Sequence, residues 1–215
     1  EHSDLIRTVT AIVTAVVWLV YLQLLLSNVI RARRPNILIT RGGSSGDAAR
    51  CLIGNMGEEP IFVVSLFADF EVDGRTVQAV VTDRDEFAAS ELSSPAQATN
   101  QGPLDSGAYM DAGSFSDLVN RAIRHSTFDG TEGDIEGLEL TVIAATGSAG
   151  MIAAGRRRFN VGYRGEDRHY VPATVTTRQI RNILARRRLR QRLRDCIDAE
   201  AVEMTSAPDR RRRAA

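Results

Sequence analysis

The longest uninterrupted apolar segment lies near the start of the chain. Residues 8–30 read TVTAIVTAVVWLVYLQLLLSNVI and contain no charged side chain over 23 positions. At about 1.5 Å per residue, a helix of this length spans roughly 34 Å, enough to cross a hydrocarbon core of about 30 Å. A cleaved signal peptide would instead have a basic start and small residues at a cleavage site. Because the start EHSDLIR is mixed in charge and the run ends in RARR, the pattern predicts a transmembrane anchor over residues 1–34.

Beyond this anchor the pattern changes to short β-type segments separated by turn residues. Residues 61–72 are rich in β-branched and aromatic side chains, and Asp73-Gly74 predicts a tight hairpin into RTVQAVVTD. Residues 138–146 alternate apolar side chains on one face and return, after a turn, as MIAAGRRRFNVGY. The segments NILIT, AARCLIGN and SGAYMDAG supply further short strands. Six or seven strands with short connections predict a mainly β fold, an antiparallel β-sandwich over residues 35–175.

One inserted helix is predicted at about residues 115–125. Ser114 and Asp117 have the spacing of a helix N-cap. The residues that would share its apolar face, and so cover one end of the sandwich, are Phe115, Leu118, Val119, Ala122 and Ile123.

The segment ARCLIGNMGEEPIFVVSL, in which an Asn-Met-Gly turn joins two strands, resembles Ig-like domains of bacterial membrane proteins. This resemblance implies an Ig-like sandwich, a binding or scaffolding role without chemistry, and a location at the bacterial inner (cytoplasmic) membrane.

Arginine dominates the far side of the apolar run. Only Arg7 precedes it, so the positive-inside rule predicts a single-pass chain with its N-terminus outside and its β domain in the cytoplasm. The arginines expected beside the lipid headgroups are Arg31, Arg33, Arg34 and Arg41.

The C-terminal region, residues 176–215, is predicted to be a basic helical arm over residues 176–204 and a disordered tail, SAPDRRRRAA. Its apolar residues do not form one stripe, because Ile180 and Leu184 share a face and Leu189, Leu193, Cys196 and Ile197 lie roughly opposite. Either the helix breaks near residues 186–188 or its halves pack on different surfaces. The arginines of this arm are Arg178, Arg181, Arg186, Arg187, Arg188, Arg190, Arg192 and Arg194.

The formal net charge of zero conceals an acidic body between two basic ends. Residues 1–41 carry about +3, residues 42–155 about −13, and residues 156–215 about +10. Three partners could take the basic arm: anionic lipid, the acidic body itself or an acidic protein, and nucleic acid. Nucleic acid ranks last, because the arm has little aromatic interleaving. All 27 basic residues are arginine, which excludes any mechanism that needs lysine.

The stretch ILITRGGSSG resembles the opening of short-chain dehydrogenases, whose glycine turn binds a dinucleotide. Arg41 interrupts that pattern, Asp47 and Ala48 replace its final glycine motif, and the catalytic lysine is missing. We therefore reject a nucleotide cofactor here and predict a strand, a turn and a second strand.

Two other groups of residues have side chains of types used in catalysis or metal binding. The acidic loop holds Asp129, Glu132, Asp134 and Glu136, but its spacing is not that of an EF-hand, so no metal site is predicted. Cys51 and His125 could form a nucleophile pair, but Cys51 lies in an apolar strand typical of a buried inert thiol. Two cysteines so far apart fit thiols in a reducing compartment, and no catalytic residue is predicted.

These patterns lead to two hypotheses. The first is a non-catalytic accessory or scaffold subunit of a larger bacterial membrane complex, whose partners are the lipid bilayer and other membrane protein subunits. The second is a membrane-surface regulatory module whose Arg-rich arm binds anionic lipid or nucleic acid.

Overall fold

The computed structural model describes residues 2–32, 34–43, 46, 48–84, 98–147, 152–165 and 167–206. Over these residues the chain is mainly β, with 42% in strands, which confirms the predicted class. Its helices are α1 (His2–Ala32), α2 (Phe115–Arg124) and α3 (Ile183–Ser206). Its strands are β1 (Ile37–Gly42), β2 (Arg50–Asn55), β3 (Ile61–Val72), β4 (Arg75–Val80), β5 (Gly102–Leu104), β6 (Tyr109–Ser114), β7 (Gly137–Thr146), β8 (Ile152–Arg164), β9 (Asp167–Pro172) and β10 (Arg178–Gln179).

Helix α1 contains the apolar run. Its segment His2–Ser27 is long and apolar enough to cross a membrane, and none of it is buried. The hydroxyl groups of Thr8, Thr10 and Thr14 each donate to the carbonyl oxygen four residues earlier, at 2.8–2.9 Å. These bonds satisfy polar groups that hydrocarbon could not.

The strands of the described residues form two antiparallel sheets. The small sheet has the order β1-β2-β6, and the large sheet has the order β10-β8-β7-β3-β4, with β5 added to β3 and β9 added to β8. The predicted hairpin joins β3 to β4, and both of its turn residues have positive φ, 48° at Asp73 and 70° at Gly74. The sequence predicted seven of these strands. The three that it did not predict, β5, β9 and β10, all add to the large sheet.

The glycine-rich segment after β1 connects two paired strands. Gly42 lies opposite Arg50 in the register, so β1 and β2 are antiparallel neighbours. The predicted strand–turn–strand order is confirmed, whereas a dinucleotide site would need a helix after the glycines. Residues 44, 45 and 47 of this turn lie outside the described part.

The core lies between the two sheets. Small-sheet residues such as Ile39 and Ile53 are buried together with Leu66 and Leu140 of the large sheet. Phe115 at the start of α2 stacks on Tyr170 and meets Phe159 edge-on, with ring centroids 4.8 Å apart in both pairs. The N-cap of α2 is confirmed, because Ser114 Oγ accepts a hydrogen bond from Asp117 N at 3.0 Å.

The outer face of the large sheet is covered by α3. Buried Phe67, Ile143, Ala154 and Ile180 form a second apolar cluster, and the α3 residues packed on it are Ala185, Leu189, Leu193 and Cys196. Because β3 therefore packs on both faces, Ser65 to Phe70 are buried without alternation.

The helical arm differs from its prediction in where it starts. Arg178 and Gln179 are β10, paired with Arg156 and Gly155 of β8, and α3 begins at Ile183. Both alternatives for the arm are wrong over residues 183–206, because α3 is continuous and packs through one stripe. Ile180 precedes the helix and belongs to the sheet side, while Leu184 is 62% exposed. Of the predicted tail, residues 207–215 lie outside the described residues.

Candidate functional site

Arg192 attaches α3 to the acidic body. Its guanidinium donates to both carboxylate oxygens of Asp69, with Nη1–Oδ2 at 2.8 Å and Nη2–Oδ1 at 2.5 Å. The guanidinium carbon also lies 4.0 Å from the centroid of the Phe67 ring. Phe67 and Asp69 are two residues apart on β3, so both point to the same face of the sheet. Of the three partners considered for the arm, the body itself is therefore the one that Arg192 contacts.

The other arm arginines lie at the surface. Arg178, on β10, and Arg181 are exposed. Arg186 is half-buried, and its Nε donates to the carbonyl oxygen of Ile180 at 3.1 Å. The exposed arginines of α3 are Arg187, Arg188, Arg190 and Arg194.

The arginines after the apolar run have different environments. Arg31 lies in the last turn of α1, Arg34 is exposed just beyond it, and Arg33 lies outside the described residues. Arg41 is on β1, and its Nη1 donates to the carbonyl oxygen of Tyr170 at 2.8 Å. Arg41 therefore joins the small sheet to β9 as well as adding positive charge.

A cavity of about 250 Å³ brings the two basic regions together. Arg34 comes from the α1 exit, and Arg181 and Arg186 come from the start of the arm. Between them lie the apolar side chains of Ala153, Ala154 and Ile180. The sequence placed these arginines in two separate groups and did not predict their convergence.

Among the described residues, three arginines that the sequence did not predict are buried in structural positions: Arg121, Arg157 and Arg168. Arg121 of α2 is fully buried and donates to the carbonyl oxygens of Val81 and Ala112, both at 2.9 Å. Arg157 of β8 donates to Ile39 O at 2.6 Å, and burial lowers the pKa of its guanidinium. The alternation of β8 was a usable signal for Arg157, because residue 157 shares a face with the buried Phe159.

In the acidic loop, the carboxylates of Glu132 and Asp134 are bonded to other groups of the protein. Glu132 forms an ion pair with buried Arg168, Nη1–Oε1 2.7 Å, and accepts the hydroxyl of Tyr170 at 3.0 Å. Burial, followed by the Glu132 carboxylate, raises the pKa of Tyr170. Hydrogen bonds from the backbone and hydroxyl of Thr131 lower the pKa of Asp134. Across the described residues, no group of three or more His, Cys, Asp or Glu side chains is placed to hold a metal ion.

Cys51 and His125, which could form a nucleophile pair by residue type, lie in different surroundings. Cys51 is completely buried in the core, where burial and then the nearby Asp111 raise the pKa of its thiol to about 12. His125 lines a groove of about 450 Å³ beside α3, together with Leu193 and Cys196. A thiol with so high a pKa is almost entirely protonated near neutral pH, and a protonated thiol is a poor nucleophile.

No protein-family model, curated protein or solved structure matches this chain.

Proposed function

We propose that this chain is a single-pass protein of the bacterial inner membrane, in which α1 anchors a cytoplasmic Ig-like β-sandwich that serves as a non-catalytic accessory or scaffold subunit of a larger membrane complex. The observation that carries the proposal is α1 itself. A helix with 26 residues in its apolar segment and no buried residues exposes more apolar surface than a soluble protein normally tolerates. Insertion in a bilayer removes that surface from water.

The orientation follows from the charges beside α1. In the sequence, Arg31, Arg33 and Arg34 follow the apolar run, and Arg7 alone precedes it. The positive-inside rule then puts the β domain in the cytoplasm. The thiols of Cys51 and Cys196 agree with a reducing compartment.

A scaffold role is supported by the structural contacts that several arginines of the domain make. Arg157, Arg168 and Arg192 are each committed to internal carbonyl or carboxylate groups. These contacts join α3, the sheets and the connections between them into one framework, and they use the three guanidinium groups for structure.

Membrane extraction and topology mapping test this proposal. In membranes from cells that express the full chain, the protein should resist extraction at alkaline pH. A C-terminal green fluorescent protein should fluoresce, and a C-terminal alkaline phosphatase should be inactive. Mild detergent should then release the chain with a membrane partner in fixed stoichiometry. Release by alkaline carbonate would refute the anchor, and elution of the chain alone would refute the subunit role.

A membrane-surface regulatory module is a second candidate, favoured by the exposed α3 arginines. Deletion of residues 178–215 is a poor test, because it would also remove β10, Ile180 and the Arg192–Asp69 contact. Replacing Arg187, Arg188, Arg190 and Arg194 with glutamine preserves those contacts. Phosphatidylcholine proteoliposomes of the full chain should capture anionic vesicles in a salt-dependent manner, and the quadruple variant should not. Capture of a labelled oligonucleotide in place of vesicles would favour nucleic acid.

A further inference from the structure

We propose that the cavity formed by Arg34, Arg181 and Arg186 binds the phosphate group of an anionic phospholipid headgroup. This inference rests on the proposed membrane anchoring of α1, and it assigns a partner to a site that the sequence did not predict.

Three arginines from two distant parts of the sequence converge on this cavity. Arg34 follows α1, whereas Arg181 and Arg186 lie just before and within the first turn of α3, and the three line one cavity of about 250 Å³. Two contacts fix this part of the cavity. Arg186 Nε is held by Ile180 O at 3.1 Å, and Gln179 exchanges hydrogen bonds with the backbone of Ile37, three residues after Arg34.

The cavity concentrates positive charge. Across the described residues, arginines of the domain repeatedly meet carboxylates, in the ion pairs Arg50–Asp111, Arg156–Glu139, Arg158–Glu71, Arg168–Glu132 and Arg192–Asp69. In the same part of the chain, no carboxylate forms an ion pair with Arg34, Arg181 or Arg186. Three guanidinium groups around one small cavity repel one another, and a bound anion would relieve that repulsion. Guanidinium groups suit phosphate because they donate paired hydrogen bonds to its oxygens.

The cavity has the position and the size that a lipid headgroup site requires. Arg34 lies four residues after Ile30, where the uncharged run of residues 8–30 ends. A bilayer that holds this run therefore has Arg34 near its headgroup layer. The cavity is smaller than the roughly 300–1,000 Å³ typical of sites for drug-sized ligands. The volume of the cavity therefore suits a single phosphate group better than a nucleotide.

The test uses the full chain in a neutral detergent, titrated with dioctanoyl phosphatidic acid, dioctanoyl phosphatidylcholine or inorganic phosphate, with bound ligand measured by native mass spectrometry. We expect one phosphatidic acid bound per chain and at least tenfold weaker binding of phosphatidylcholine. The Arg181→Gln/Arg186→Gln variant should bind phosphatidic acid at least tenfold more weakly, and Arg34→Gln should weaken it severalfold. The matched control Arg190→Gln/Arg194→Gln removes the same charge from exposed positions of α3 and should change binding less than threefold.

Each other outcome overturns the proposal in a defined way. Equal losses in the two double variants would mean nonspecific attraction by the arm. Inorganic phosphate bound as tightly as phosphatidic acid would make free phosphate, rather than lipid, the ligand. Unchanged circular dichroism and thermal unfolding must accompany any loss of binding, because a misfolded variant would give the same loss. If Arg181→Gln/Arg186→Gln misfolds, the Arg34→Gln variant decides the question. A severalfold loss of phosphatidic acid binding with an intact fold supports the site, and unchanged binding refutes it.

Failure of this inference is distinguishable from failure of the proposed function. The Arg181→Gln/Arg186→Gln chain should still resist alkaline extraction, because α1 alone anchors it. A wild-type chain that resists extraction but shows no arginine-dependent lipid binding refutes only the headgroup site. A wild-type chain released by carbonate refutes the anchoring, whatever it binds in detergent.

Discussion

The side chain of Gln179 bonds to the backbone of Ile37, 142 residues away, as a neighbouring strand would. Gln179 Oε1 accepts from Ile37 N at 3.1 Å, and Gln179 Nε2 donates to Ile37 O at 2.6 Å. Thr177 Oγ1 continues the pattern by accepting from Ile39 N at 2.8 Å. Two side chains thus satisfy the outer edge of β1, an edge that would otherwise be open to pairing with another chain.

Gln179→Ala should destabilise the domain by about 1–3 kcal/mol, because it leaves the N–H and C=O groups of buried Ile37 without these partners. Urea unfolding of the full chain in detergent measures the change. The matched control is Gln78→Ala on β4, whose side chain is exposed, and it should stay within about 0.5 kcal/mol of wild type. Equal effects at the two positions would show that the bonds to Ile37 contribute nothing.

Gly155→Ala should be destabilising by about 1–3 kcal/mol through overpacking. A Cβ at residue 155 would lie 3.0 Å from Ile37 Cβ and 3.1 Å from Thr177 Cγ2, and neither neighbour is the end of a flexible chain. Gly162, on the same strand, has nothing within 4 Å of its added Cβ. Gly162→Ala should therefore be neutral or stabilise by up to about 1 kcal/mol. The thermal unfolding temperatures of both variants test this prediction. A Gly155→Ala protein as stable as wild type would mean that the close packing of Ile37 on residue 155 is not required.

The elements that the sequence predicted are those set by nearby residues. The apolar run of α1, the Asp73-Gly74 hairpin and the Ser114 cap each depend on positions within a few residues of one another. The features that the sequence did not predict depend on contacts between residues far apart in the chain. Ile180 and Leu184 look like one helical face until β10 pairs with β8 and ends the arm's first segment as a strand. Arg34 and Arg186 lie in different basic regions of the sequence, and only the tertiary fold puts them in one cavity.

The stability of the domain should fall with rising pH above 9 because of Cys51. Burial raises the pKa of its thiol to about 12, from an ordinary pKa of 9.0. Because the folded pKa is the higher one, the stabilising contribution is complete below pH 9 and is lost as the pH rises towards 12. In that window the free energy of unfolding should decrease by up to about 1.4 kcal/mol per pH unit from this group.

Comparison with Cys51→Ala isolates that effect. The alanine variant lowers stability at every pH by leaving a small cavity, but it should lack the part of the slope that Cys51 contributes. Tyr170 also has a raised pKa, and its contribution is common to both proteins, so it cancels in the difference. Parallel stability curves between pH 9 and 11 would show that the thiol ionises as easily in the folded domain as in the unfolded chain.

A double-mutant cycle on Arg192 and Asp69 measures how firmly α3 is attached. Both side chains are mostly shielded from water, 20% and 10% exposed, so breaking the pair leaves a charge in a poorly solvated place. Arg192→Met and Asp69→Asn should each cost about 2–3 kcal/mol, and their coupling energy should be about 1–3 kcal/mol. Arg192→Met also removes the charge stacked on Phe67, so its cost should be the larger.

The control Arg194→Gln, at an exposed position two residues away, should change stability by less than about 0.5 kcal/mol. A coupling energy near zero would mean that the apolar contacts of Leu189 and Leu193 hold the helix on the sheet without help from this ion pair.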